Sequence, residues 1–376
     1  MKNNPIRVLQ VAGEMRCGGA ETMIMNIYRN MDRNHIQFDF VSFSRVKGHF
    51  DDEIKRLGGR IFYIPSPKET GVVQFCYNLM KVIKKQGPFH VVHAHTLYNI
   101  GLVLLATRIA GVKCRIAHSH STKATINSNL LRNIYNIVMK KLIHLNATHY
   151  LACGVDAGCF LYGESLFNKK GVVLSNAIDV AEYRNDHNSN ILAIRNELKL
   201  RPETLVIGQV GTLNTIKNHK FSISVGRRLQ EKGVDFKMIF VGDGELRDEL
   251  RKNAKSAGID KNIIFLGIRS DIPRLMGVFD LLIMPSIFEG LPVTLIEAQA
   301  AGIPCVVSDV ITIEADLGLG LLKYISLNDD IDKWIHAIHS QRKLKTVDME
   351  QIAAVFKQKG YDINRSIERL MLMYRV

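Results

Sequence analysis

The chain has 376 residues, 47% apolar and 23% charged, which is the make-up of a globular protein with room for two domains. Long polar tracts are absent, which excludes a disordered chain. No stretch of about 18 uninterrupted apolar residues occurs, so no transmembrane helix is expected. The formal charge is +14 but uneven: residues 1–183 carry 23 Lys+Arg against 12 Asp+Glu, whereas residues 184–351 carry 22 against 22.

The basic half is built to meet something anionic: nucleic acid, a membrane surface or an anionic substrate. From Thr70 to Val155 there is no acidic residue, while ten Lys or Arg occur. The six cysteines are scattered without a C-x-x-C pair, a pattern of reduced thiols in a cytoplasm rather than of a disulfide framework. The start, MKNNPIRVLQVAG, reads as a strand and not as a signal peptide.

In chain order, the first half offers the runs RVLQVA (7–12), FDFVSF (38–43), RIFYIP (60–65), HVVHAH (90–95), RIAHSH (115–120), HYLACG (149–154) and GVVLS (171–175). The second half offers LVIGQVG (205–211), FKMIFVGDG (236–244), NIIFLG (262–267), LLIMPS (281–286), PCVVSD (304–309) and LLKYIS (321–326). These runs are rich in Val and Ile and bounded by Gly, Pro, Asn or Asp, which predicts strands. Being nearly continuous in apolar residues, they predict parallel strands covered on both faces. Helical spacing lies between them, for example over Ala20–Met31, Phe75–Lys85, Asn129–Leu145, Phe221–Lys232, Glu245–Ala257 and Asp330–Gln341. Strand and helix alternating through both halves predict an α/β protein of two Rossmann-like domains, with ligands in a central cleft beyond the carboxyl ends of the strands. The domains are expected over 1–183 and 184–351, joined through the polar stretch 179–190.

The densest chemistry follows LLIMPS. The loop Ile287-Phe288-Glu289-Gly290 leads to Leu291 and Pro292, a natural first-turn residue, and Gly302 then Pro304 close the helix. The amides near Gly290 to Val293 form an anion site that suits a diphosphate. Glu289 sits beside that site, and Glu297 lies about 8 Å farther along the axis. Each carboxylate can accept a pair of hydroxyls, which is what a sugar nucleotide offers at its two ends. Lys217, in the loop after LVIGQVG, can reach a phosphate in the same place. Gly242 and Gly244 of VGDG allow backbone to approach a ligand.

Together these stretches resemble the retaining glycosyltransferases of the GT-B fold, in the family-four or "glycosyltransferase group 1" type. The likeness is carried by EGLPVTLIE (289–297), GTLNTIKN (211–218), VGDG (241–244) and FLGI (265–268). GGAE (18–21), HVVHAH (90–95) and LSNAID (174–179) carry it in the first half. It spans nearly the whole chain and is strongest toward enzymes of capsule and exopolysaccharide assembly.

The resemblance implies that Glu289 contacts the donor hexose, Glu297 the ribose and Lys217 the diphosphate, and that Gly18-Gly19 closes over the donor phosphates from the other domain. It implies a histidine near the hexose at the end of RIAHSH; His118 and His120 are both candidates, His120 being nearer the loop. It also implies that the C-terminal segment 352–376 packs back on the first domain. One departure is Thr212, where the family usually has an arginine; Arg16 is a candidate substitute.

The reaction so implied moves a hexose from a nucleoside-diphosphate sugar, a UDP-sugar, to a glycan or polyprenyl-diphosphate-linked acceptor in surface polysaccharide synthesis. Helix amides and Lys217 stabilise the leaving diphosphate, so neither a metal nor another cofactor is required. The histidines of H-x-x-H-x-H at 90–95 are expected to pack or to line the cleft rather than to hold metal. The stretch 121–145, with Lys123, Arg132, Lys140 and Lys141 among Leu130, Leu131, Ile134, Ile137, Val138 and Leu142, suits either a solvated helix or contact with anionic headgroups at the inner face of the cell membrane.

Other readings fit less of the chain. A nucleotide-sugar epimerase of the same architecture would convert the donor without an acceptor, and a phosphorylase would need a longer chain and a pyridoxal site. A dinucleotide oxidoreductase would need a third glycine after Gly242-x-Gly244. A basic nucleic-acid binder would leave the second domain unexplained and would need clustered stacking aromatics.

Overall fold

The computed structural model describes residues 5–16, 18–121, 130–183, 188–344 and 347–374. The chain divides into two compact units, Met1–Ile178 with Gly360–Val376, and Asp179–Lys359. Unit 1 holds seven strands: β1 (Ile6–Val11), β2 (Ile36–Ser42), β3 (Ile61–Tyr63), β4 (Val91–Ala94), β5 (Cys114–Ser119), β6 (His149–Ala152) and β7 (Gly171–Val173). They pair in the order β3-β2-β1-β4-β5-β6-β7, and every pairing is parallel. Unit 2 holds β8 (Leu205–Val210), β9 (Phe236–Val241), β10 (Ile263–Gly267), β11 (Leu281–Met284), β12 (Cys305–Ser308) and β13 (Leu322–Ile325). Their order is β10-β9-β8-β11-β12-β13, again all parallel. Both are doubly wound sheets, with the order reversing beside the first strand of each.

Parallel sheets must be covered on both faces, and the residue alternation in unit 1 shows how. Leu9, Val11, Val92, Ala94 and Ala117 enter one buried cluster. Val8, Val91, Ile116 and Leu151 enter another, which also takes Met23, Ile24 and Ile27 of the helix Gly19–Asn30. The chain's last helix, Ile363–Tyr374, adds Ile363, Ile367, Leu370 and Tyr374 to that second cluster. Period-two alternation then puts Gln10, His93 and His118 on this same face.

The segment 352–376, expected to act as one element, is two. The helix Met349–Lys359 belongs to unit 2, burying Ile352 and Phe356. Gly360, at a φ of 81°, turns the chain into Ile363–Tyr374, which belongs to unit 1. An amide from Ile178 to the Tyr361 carbonyl, at 3.1 Å, fixes the turn. The polar stretch read as a linker contains the start of a helix, Asn188–Glu197. No helix among the described residues is long and apolar enough to cross a membrane.

Candidate functional site

In unit 2 the site is assembled from the loops after β8, β9 and β11. Gly211, at a φ of 153°, ends β8. A side chain there would press on the Lys217 stem, whose Cε lies 3.0 Å from the place a Cβ would take. The loop then folds on itself: Asn214 Oδ1 accepts from the Lys217 amide at 3.0 Å, and Gln209 donates to the Lys217 carbonyl at 2.8 Å. Asn218 adopts a left-handed φ of 53°, which asparagine tolerates better than most residues. Its side-chain amide donates to the Pro285 carbonyl at 3.0 Å, and the Ile287 amide donates to the Ile216 carbonyl at 2.8 Å. The two loops are thus pinned together.

The outcome is a contact of 2.5 Å between Lys217 Nζ and Glu289 Oε1. Ser286 donates to the same oxygen at 2.8 Å, and Ser308 holds Ser286 by donating to its carbonyl at 2.6 Å. Both charged side chains are largely shielded, at 20% and 12% exposure, where an ion pair is screened less than at the surface.

The helix expected after Glu289 runs Val293–Ala300, with Pro292 as its N-cap rather than its first turn. Gly290 and Leu291 are partly buried in the approach. The first-turn amides therefore begin at Val293 and point away from the body of the helix. Its far end closes by paired bonds, Gly302 N–H to Gln299 O and Ile303 N–H to Ala298 O, with Gly302 at a φ of 69°; this is the Schellman arrangement. Glu297 is only 8% exposed, and Tyr183 donates to its Oε1 at 3.1 Å. Tyr183 was missed because it lies 114 residues from its partner.

Gly242 has a packing role. At a φ of 132° it packs against the Gly211 carbonyl, where a Cβ would collide. Its job is to bring two strand ends together, which positions the Lys217 loop. Thr212 is exposed. His219, beginning the next helix, was not expected to matter; it is buried edge-on to Phe240, and burial lowers its pKa to about 3.

Unit 1 holds the remaining candidates. Gly18 is the extended N-cap of the helix Gly19–Asn30, and the Glu21 carboxylate folds over it, in the position where an anion suits a helix start. Burial raises the Glu21 pKa. Arg16, the candidate substitute for the missing arginine, pairs with Glu14. His118 and His120 do not stand alone. His93 Nε2 lies 3.1 Å from His118 Nδ1, and His95 Nδ1 lies 2.9 Å from His120 Nε2. His95 Nε2 meets Gln10 Oε1 at 2.9 Å, and His93 Nδ1 meets the Tyr374 hydroxyl at 3.0 Å. His93, His95 and His118 each bring a ring nitrogen within 4.8 Å of the others, a spacing a metal could use, but hydrogen bonds already account for the contacts.

Two Rossmann-like parallel sheets are the architecture of the GT-B fold, which the solved structure named below shares. The profile described as "Glycosyltransferase Family 4" matches residues 17–182, and "Glycosyl transferases group 1" matches residues 190–339. EpsF of Bacillus subtilis (strain 168), whose name places it among the glycosyltransferases, is 39% identical over 100% of this chain and 98% of its own. The UDP-Gal:alpha-D-GlcNAc-diphosphoundecaprenol alpha-1,3-galactosyltransferase of Escherichia coli is 27% identical over 80% of this chain and 79% of its own. The crystal structure of Anabaena HepE in complex with UDP superposes with a TM-score of 0.75 over 99% of each chain at 18% identity. The chain belongs to the group 1, family 4 glycosyltransferases.

Proposed function

We propose that this glycosyltransferase moves a hexose from a UDP-sugar to a hydroxyl of a glycan or polyprenyl-diphosphate-linked acceptor in surface polysaccharide synthesis, with retention at the anomeric carbon. The observation that carries the reading is the 2.5 Å contact between Lys217 and Glu289. In a sugar nucleotide the hexose is bonded directly to the outer phosphate. Groups serving the two must therefore be neighbours, and these are. The E. coli relative, named for UDP-Gal and a diphosphoundecaprenol acceptor, and the HepE complex with UDP support the choice of donor and acceptor class.

In this reading Lys217 and the amides at Val293 neutralise the charge that builds on the departing diphosphate. They are fixed before the reaction and need no reorganisation, so no metal is required. Glu289, held by Ser286, orients hexose hydroxyls, and Glu297, held by Tyr183, accepts from the ribose. Gly18 and Gly19 supply backbone that approaches phosphate, which would displace Glu21. The histidine ends in unit 1 contact the hexose.

An acceptor of this class suits work in the cytoplasm, at the inner face of the membrane. The helix Leu130–Asn146 supports this. Leu130, Leu131, Ile134, Ile137 and Val138 are 45–76% exposed, on a chain segment without acidic residues. Donor incubated with a lipid-linked acceptor, and the new anomeric centre read by NMR, tests the reading. An α-linked product from an α-linked donor is expected; an inverted centre, or donor converted with no acceptor present, contradicts it.

A further inference from the structure

The four histidines of β4 and β5 form a chain with a direction. Gln10 Nε2 lies 3.4 Å from the Tyr374 oxygen and donates to it, so the Tyr374 hydrogen goes to His93 Nδ1. A neutral imidazole has one N–H and one lone pair. His93 must then carry its proton on Nε2 and donate to His118 Nδ1, which leaves the His118 proton on Nε2. On the other arm Gln10 Oε1 can only accept, so His95 carries its proton on Nε2. His95 Nδ1 then accepts from His120 Nε2–H, leaving a lone pair on His120 Nδ1. All four rings are Nε2–H tautomers. Turning the Gln10 amide over reverses every bond and makes all four Nδ1–H.

In either direction one end of the chain is a donor and the other an acceptor. Those two atoms, His118 Nε2 and His120 Nδ1, are buried and have no hydrogen-bond partner among the described residues. The rings that bear them stack with centroids 4.2 Å apart. An unpaired buried polar atom is costly, and two such atoms of opposite kind at the ends of one chain ask for a ligand group that completes them.

We propose that Gln10 and Tyr374 are positioning residues that lock the four imidazoles into one shared tautomer, so that His118 and His120 always present one N–H and one lone pair to the substrate. A hydroxyl, which both donates and accepts, satisfies either end; a phosphate oxygen, which only accepts, satisfies one. That the hydroxyl belongs to a sugar rests on the function proposed above, whereas the shared tautomer does not. Burial keeps the rings neutral: His93 is lowered to about 3 and His120 to about 4, with His95 and His118 well below the ordinary value.

The test is nitrogen-15 NMR of the full-length protein with labelled histidine at neutral pH, each ring assigned by a single His→Asn substitution. Four signals of the Nε2–H type are expected. A mixture of the two tautomers within either arm overturns the proposal, as does a bound divalent ion whose removal shifts these signals. Gln10→Glu supplies a second reading. Its carboxylate only accepts, so Tyr374 must turn its hydrogen toward it; His93 and His118 then become Nδ1–H while His95 and His120 stay Nε2–H. In Tyr374→Phe, His93 and His118 lose their single-tautomer signature. Signals unchanged in both variants overturn the proposal. Transfer activity left at the wild-type level while the tautomer pattern changes would instead count against the sugar-hydroxyl reading alone.

Discussion

Lys217 and Glu289 are 72 positions apart in the chain, and their meeting could not be read from spacing. Each was legible alone, as a lysine after a strand and a glutamate before a helix; the contact needed β8 and β11 to be sheet neighbours. Lys217→Ala should lower kcat by about 10²–10³-fold, the usual cost of removing one fixed group that stabilises developing charge. Glu289→Gln keeps the shape and the Ser286 bond but loses the charge, and should lower kcat with little change in unfolding midpoint. Steady-state rates beside denaturation curves separate loss of chemistry from loss of fold.

The buried histidines make a second prediction. Folding lowers His93 and His219 from an ordinary 6.5 to about 3 and His120 to about 4. The unfolded chain then binds more protons below pH 6.5, so stability is whole above about 6.5 and drains as pH falls toward 4 and 3. Denaturant midpoints at pH 7, 5.5 and 4 should fall in that order; a flat series would contradict the burial.

At the scale of elements, the strands were the most legible part. Their apolar runs are continuous because both faces are covered, and the thirteen runs became the thirteen strands of the described residues. What each glycine does was only partly legible. Gly242, legible as a glycine that lets backbone approach a ligand, is also a close backbone crossing. Gly242→Ala should cost about 1–3 kcal/mol through strain and collision, read as a lower unfolding midpoint.

The helix Leu130–Asn146 showed its composition but not its orientation. Its apolar residues would be expected inward, yet Leu130 and Leu131 are 75% and 76% exposed. Lys140 points back, donating to the Phe160 carbonyl at 2.6 Å. If this face meets a bilayer, the protein should sediment with vesicles containing anionic lipid and much less with zwitterionic ones. Leu131→Gln with Ile134→Gln should weaken that binding. Equal sedimentation of the wild type with both vesicle types would argue against a role for the basic charge.

For the whole molecule, the sequence showed two Rossmann-like units and a charge imbalance between its halves, because both are sums over many residues. It did not show that the tail serves both units. Helical spacing is continuous from Ile352 to Met371, and only the turn at Gly360 assigns Phe356 to one core and Tyr374 to the other. Tyr374 thereby reaches His93, 281 positions away, a pairing outside any motif.

The proposed function requires that a sugar nucleotide give up its sugar at the Lys217–Glu289 pair. A panel of nucleoside-diphosphate sugars, offered with a lipid-linked acceptor and scored by nucleotide released, measures it most directly. UDP release from one UDP-hexose, abolished or nearly so in Lys217→Ala and Glu289→Gln, is the predicted result. Release at wild-type rate by both variants would contradict it.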